Sequence, residues 1–232
     1  MSESKVCVVV GVGPGNGEAF ARRFAEGGYR VALLARSEEP ARALAEELGG
    51  KSYRCDVTDT EQLREVLGRI AGELGPIDVL LYNAGSGVFG DLEAVDEETM
   101  RVAWEVNVLG LFTAAKTVAP TMKERGGAIL VTGATASLRG GARFAAFASA
   151  KGAQRNLVQS MARHLQPEGV HVALVIVDGM VDLPRTRKMA PDMETEAFLQ
   201  PSAIAESVWY LAHQPKSAWT LELDVRPHLE KF

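Results

Sequence analysis

The feature that most restricts what this chain can fold into is a rhythm. Short runs rich in β-branched residues alternate with amphipathic helical patterns along its whole length. The spacing predicts strands at "KVCVVVG" (5–11), "RVALLA" (30–35), "KSYRC" (51–55), "DVLLYN" (78–83), "AILVTG" (128–133), "HVALVIV" (171–177) and "LELDV" (221–225). Helical periodicity occupies 17–27, 38–48, 60–74, 97–123, 145–166 and 201–213. Strands and helices that alternate at this spacing give parallel strands joined by crossover helices. Crossovers are right-handed, which puts helices on both faces of the sheet. The strands are nearly unbroken apolar runs, as a sheet buried on both sides requires. The expectation is one α/β domain over residues 1–232: a doubly wound, parallel, seven-stranded sheet with helices on both faces. The stretch 179–200 shows no clear period, and a connection of that length is either a functional lid or disordered.

Composition narrows the partners. The chain is 47% apolar and 24% charged, which is globular usage. A net charge of -5 with no dense Lys/Arg block argues against nucleic acid or an anionic membrane surface. No run approaches the roughly 20 apolar residues of a membrane helix. After "MSESK" the chain goes directly into "VCVVVG", too short for a signal peptide. Cys7 and Cys55 fall in predicted buried strands and read as reduced core thiols, so a cytoplasmic home is expected. The histidines are scattered without metal-ligand spacing, and no metal is expected.

The first chemical signal is "GVGPGNGEAF", Gly11 to Phe20, which follows the first strand and opens a helix. There, backbone N–H groups and the helix N-terminus can meet a pyrophosphate. The general GxGxxG fingerprint does not fit, because from Gly11 and Gly13 its third glycine falls on Asn16. Gly11, Gly15 and Gly17 instead read GxxxGxG. That pattern at the first turn resembles the short-chain dehydrogenase/reductase family, with a Rossmann-like fold. Further residues fall in the family's order. "CDVTD" puts Asp56 and Val57 where the family clasps adenine, and "NAG" (Asn83, Ala84, Gly85) follows the fourth strand and lines the cofactor. "VNVLG" holds Asn107 at the catalytic asparagine, and Lys151 matches the lysine of YxxxK. "DGMV" (178–181) stands for the usual PG turn, which implies Gly179 and Val181 as cofactor contacts. The resemblance covers nearly the whole chain and implies the strand order 3-2-1-4-5-6-7.

Cofactor choice follows from charge. An acidic residue ending the second strand binds the ribose 2′-OH and repels a 2′-phosphate. Here Ala35 stands at that place and Arg36 follows, with Ser37 able to add a hydrogen bond. A guanidinium there pairs with the 2′-phosphate, so NADP(H) is expected over NAD.

The catalytic set departs from the resemblance. In the family a tyrosine gives its proton to the substrate oxygen. The lysine lowers that tyrosine's pKa and holds the nicotinamide ribose, and the asparagine orders a water. A serine positions the carbonyl. Here Phe147 stands four residues before Lys151, and Ala134 stands at the serine's place, thirteen before Phe147. Thr135 and Ser137 are the nearest hydroxyls, and Thr135 is the candidate to substitute. The expected catalytic residues are therefore Asn107, Lys151 and Thr135.

General acid catalysis contributes roughly 10²–10⁴-fold. Its loss disfavours ordinary ketone reduction, whereas an iminium or an activated alkene needs less help. Three readings remain open: an NADPH-dependent reductase with an unusual proton route, a nucleotide-binding protein without redox turnover, and a non-redox enzyme in the same pocket. The family's long helices also imply a homodimer or homotetramer, and the substrate is a small molecule of unknown identity.

Overall fold

Each strand forms within a residue or so of the expected bounds, with the β-branched runs in the middle of the sheet and the more polar β3 and β7 at its edges. They are β1 (Val6–Val10), β2 (Arg30–Ala35), β3 (Lys51–Arg54), β4 (Ile77–Tyr82), β5 (Gly127–Thr132), β6 (Val170–Val177) and β7 (Glu222–Val225). The structure is a computed structural model and describes residues 4–230. All strand pairs are parallel, in the order β3-β2-β1-β4-β5-β6-β7, as expected.

Alternation along β1 shows why the sheet needs cover on both sides. Val6, Val8 and Val10 face one core, and Cys7 and Val9 face the other. The first core is closed by α3 (Thr60–Leu74), α5 (Gly110–Arg125) and α6 (Ala145–Leu165). The second is closed by α1 (Asn16–Glu26), α2 (Glu38–Leu48) and α8 (Pro201–Ala212). Both cysteines are free and buried. Among the described residues no helix is long and apolar enough to cross a membrane.

Two elements differ from expectation. The helical pattern at 97–123 is not one regular helix. It begins as α4 (Glu97–Trp104), widens into a π turn at Glu105–Leu109, and continues as α5. The aperiodic stretch after β6 contains a short helix, α7 (Pro184–Met189), and a 3₁₀ turn at Thr195–Ala197.

β1 hydrogen-bonds to both β2 and β4, so the chain reverses direction across the sheet between β1 and β4. In an open parallel sheet the crevice at the carboxyl ends of the strands flanking such a reversal is where ligands bind. Gly11 and Asn83 directly follow β1 and β4, Arg36 follows β2, and Asp56 lies just after β3.

Candidate active site

The glycine turn is shaped by close backbone approach. A Cβ on Gly11 would sit 2.5 Å from the backbone nitrogen of Ala84, and one on Gly17 would sit 2.6 Å from the Gly11 carbonyl. The Asn83 amide ties the two loops by donating to the Gly11 carbonyl at 2.8 Å. Gly15 has φ +105 and caps α1 without bringing a side chain to the first-turn N–H groups. An anion can take that role, because those donors point along the positive end of the helix dipole. The side-chain oxygen Oδ1 of Asn16 is buried without a partner. A dinucleotide's phosphates fit this turn.

Leu183 lies directly over Gly15, its Cδ2 2.3 Å from where a Cβ would stand. It precedes α7, in the segment that resembles a lid. That segment is closed by an ion pair from Arg187 to Asp182 at 2.7 Å and a bond from Gln200 to the same carboxylate at 3.0 Å. These two partners hold the Asp182 carboxyl down to about 2. Val181 bridges to Leu199, and Gly179, at φ +142, packs under Pro227.

At the far end of the crevice an open cavity of about 370 Å³ is lined by Arg36, Arg54, Asp56, Asp59 and Gln62. Arg36 and Ser37 are exposed there, after β2. Asp56 is oriented by Thr58, whose N–H and hydroxyl donate to Oδ1 at 3.0 and 2.8 Å, and Val57 is buried. The second guanidinium, Arg54, had no motif to mark it.

The middle of the crevice holds a buried polar cluster. Lys151 is 5% exposed, and its Nζ donates to the Thr132 carbonyl at 2.8 Å and to Gln154 Oε1 at 2.9 Å. Burial brings its ammonium down to about 7. Asn107, in the π turn, donates from Nδ2 to the Ala103 carbonyl at 2.8 Å, which leaves its buried Oδ1 without a partner. A single point beside Gly85, where a Cβ would stand, lies 3.5 Å from that oxygen and 3.7 Å from Lys151 Nζ. Asn107, Lys151 and Gly85 therefore meet, as the sequence motifs require. Gln154 carries no motif. Only its burial and its two bonds reveal it.

The hydroxyls near Ala134 are already engaged. Thr135 donates to Asp178 Oδ1, and Ser137 donates to the Ala134 carbonyl at 2.5 Å. Asp178 also pairs with Arg226 at 3.0 Å. Phe147 sits one helical turn before Lys151 in a cluster of phenylalanines. Its ring centroid lies 5.6 Å from Phe89 and 6.4 Å from Phe144, and the latter two are 5.0 Å apart. Phe89 and Phe144 are partly exposed, so the outer wall of the site is apolar and aromatic.

A doubly wound sheet with a glycine turn, an open cavity at the ends of β2 and β3 and a buried lysine near a buried asparagine is the arrangement of a nucleotide-dependent oxidoreductase. The family model for short chain dehydrogenase matches residues 5–194. The 3-oxoacyl-[acyl-carrier-protein] reductase FabG of Vibrio cholerae is 33% identical over 228 residues, covering 94% of this chain and 93% of that protein. A short-chain dehydrogenase from Rhodopseudomonas palustris is 34% identical with a TM-score of 0.83, covering 98% of this chain and 100% of its own. An alcohol dehydrogenase from the archaeon Thermococcus sibiricus, solved with 5-hydroxy-NADP, is 32% identical with a TM-score of 0.85, covering 99% of each chain. The chain belongs to the short-chain dehydrogenase family of NAD(P)-dependent oxidoreductases.

Proposed function

We propose that this chain is an NADP(H)-dependent oxidoreductase with an altered proton-donor site, acting on an imine or iminium, an activated alkene or a carbonyl of a small molecule. The observation that carries the reading is the set around Gly85. Lys151 and Asn107 are held there while Phe147 brings no hydroxyl to that face. The bound nicotinamide would supply hydride chemistry. The chain's part is to bind, orient and exclude water. Lys151 holds a buried amine beside Gly85 that can gain or give a proton near neutral pH, and the unpartnered Asn107 Oδ1 offers a neutral acceptor there. The Phe89–Phe144–Phe147 wall keeps water from an apolar acceptor.

Preference for NADP(H) is supported by Arg36 and Arg54 lining one cavity, with Ala35 where an acid would repel a 2′-phosphate. The Thermococcus sibiricus relative solved with 5-hydroxy-NADP supports it too. The proposed unit is a single domain spanning 1–232, assembled as a homodimer or homotetramer in the cytoplasm. Exposed Met100, Trp104 and Phe112 on α4 and α5 support the assembly.

The test is calorimetric titration with NADPH and NADH, followed by NADPH oxidation across a panel of a cyclic imine, an enone and a diketone. Tighter binding of NADPH and turnover of the imine or the enone are expected. Absence of nucleotide binding would refute the proposal. Binding without turnover would instead favour a nucleotide-binding role with no redox step, a reading that the engaged hydroxyls of Thr135 and Ser137 support.

A further inference from the structure

Gln154 is fully buried, and each end of its amide is committed. Oε1 accepts from Lys151 Nζ at 2.9 Å, and Nε2 donates to the Asn107 carbonyl at 2.9 Å. The donation fixes which way the amide points, because a carbonyl accepts only from the NH₂ end. The oxygen end is then obliged to face the lysine. Two of the ammonium's three N–H groups are taken, one by Gln154 and one by the Thr132 carbonyl. Nζ lies 3.7 Å from the point beside Gly85 where a Cβ would stand. The same amide ties α6 to the π turn that carries Asn107.

We propose that Gln154 is the positioning residue of this site, orienting the Lys151 ammonium toward Gly85 and locking Asn107 beside it with one neutral side chain. The inference rests on the oxidoreductase reading for its consequence, but not for its geometry. Neutrality matters because of what faces Nζ. From β5 it meets the Thr132 carbonyl and from α6 Gln154, while Gly85 of the loop after β4 and the Asn107 amide oxygen of the π turn lie near it around one shared point, none of them charged. Asp178, the buried carboxylate after β6, is engaged by Thr135 and Arg226. Burial is accordingly the one cause that lowers the lysine to about 7. A carboxylate at 154 would reverse this, and an apolar side chain would deepen it.

The experiment follows the ε-carbon resonance of Lys151 in the full chain labelled with ¹³C-lysine and free of nucleotide. The line is assigned by its loss in Lys151→Met. Its midpoint is expected near 7 in the parent, as burial sets it. Gln154→Glu is expected to raise it by about one pH unit or more, and Gln154→Leu to lower it. Unchanged midpoints in both variants would overturn the proposal. If Gln154→Leu does not fold, the nearly isosteric Gln154→Glu decides alone. In the NADPH-loaded chain, the pH profile of acceptor reduction should move in the same direction as the resonance midpoint. A shifted resonance with a fixed profile would overturn the role in the reaction. No reduction of any acceptor, with the resonance shifts as expected, would count against the oxidoreductase reading and leave the control of Lys151 by Gln154 standing.

Discussion

Consider Lys151→Met, which removes a buried titrating amine and keeps most of its volume. Burial brings the ammonium from 10.5 down to about 7 in the folded chain. The unfolded chain therefore holds a proton that the folded chain gives up across that window. For a cation with a depressed folded value, stability is lowest at acid pH and rises as pH climbs through 7 toward 10.5. The whole drop is equivalent to about 5 kcal/mol at ~1.4 kcal/mol per pH unit. Integrated from pH 6 to pH 9, the linkage contributes about 2.5 kcal/mol. Methionine cannot donate, so the Thr132 carbonyl and the Gln154 oxygen each lose a partner, at about 1–3 kcal/mol apiece. That loss does not depend on pH, and the substitution leaves the other titrating groups in place. Urea unfolding of parent and variant at pH 6, 7, 8 and 9 isolates the lysine. The stability of Lys151→Met relative to the parent should fall by about 2.5 kcal/mol from pH 6 to pH 9. A difference that stays constant within about 0.5 kcal/mol would refute the argument that this lysine is desolvated.

Arg36→Asp should weaken NADPH binding by about tenfold or more and improve NADH binding, because a carboxylate repels a 2′-phosphate and accepts from a 2′-OH. Calorimetry with both nucleotides checks it. Phe147→Tyr should raise NADPH-dependent reduction of activated diketones, and adding Ala134→Ser should raise it more than additively, since residues acting as one unit couple. Steady-state rates of the parent, both single variants and the double variant measure this. Trp104→Glu, at an exposed aromatic on α4, should halve the particle mass in light scattering at micromolar concentration if that face is the dimer contact.

The strands were legible because most are apolar runs of a length that buries between two layers of helices, whereas their order was implied by the resemblance that the glycine turn and the later motifs carry. β6 shows the burial plainly: all eight residues of "VHVALVIV" are buried. The glycine turn was legible because Gly11, Gly15 and Gly17 mark positions where a Cβ would collide. The π turn was not. "EVNVL" has ordinary helical composition, and the widening depends on distant partners, the Tyr82 hydroxyl on the Val106 carbonyl and the Gln154 amide on that of Asn107. Gln154 was invisible for a related reason, since a polar residue on a helix reads as solvent-facing until its neighbours are known. Arg54, at the end of β3, and Leu183, just before α7, take their places only against residues distant in sequence. Thr135 was nearest in sequence to the missing serine, but its hydroxyl is directed to Asp178, a contact across 43 positions of chain.

The π turn also makes this site a matter of counting. A turn closed by the Gly110 N–H on the Glu105 carbonyl holds one more residue than a regular turn. Deleting a single residue between Glu105 and Leu109 would return the segment to a regular helix. The flanking helices α4 and α5 would keep their facing, because the widened turn is what absorbs the extra residue, but the carbonyls that the widening turns out of the helical ladder would be drawn back into it. The Tyr82 hydroxyl and the Gln154 amide would face the wrong carbonyls, and Asn107 would turn from Gly85. Such a deletion leaves composition, hydrophobic pattern and sheet untouched, so the chain would keep its fold and lose its site. For this segment, length carries the function as much as residue identity does.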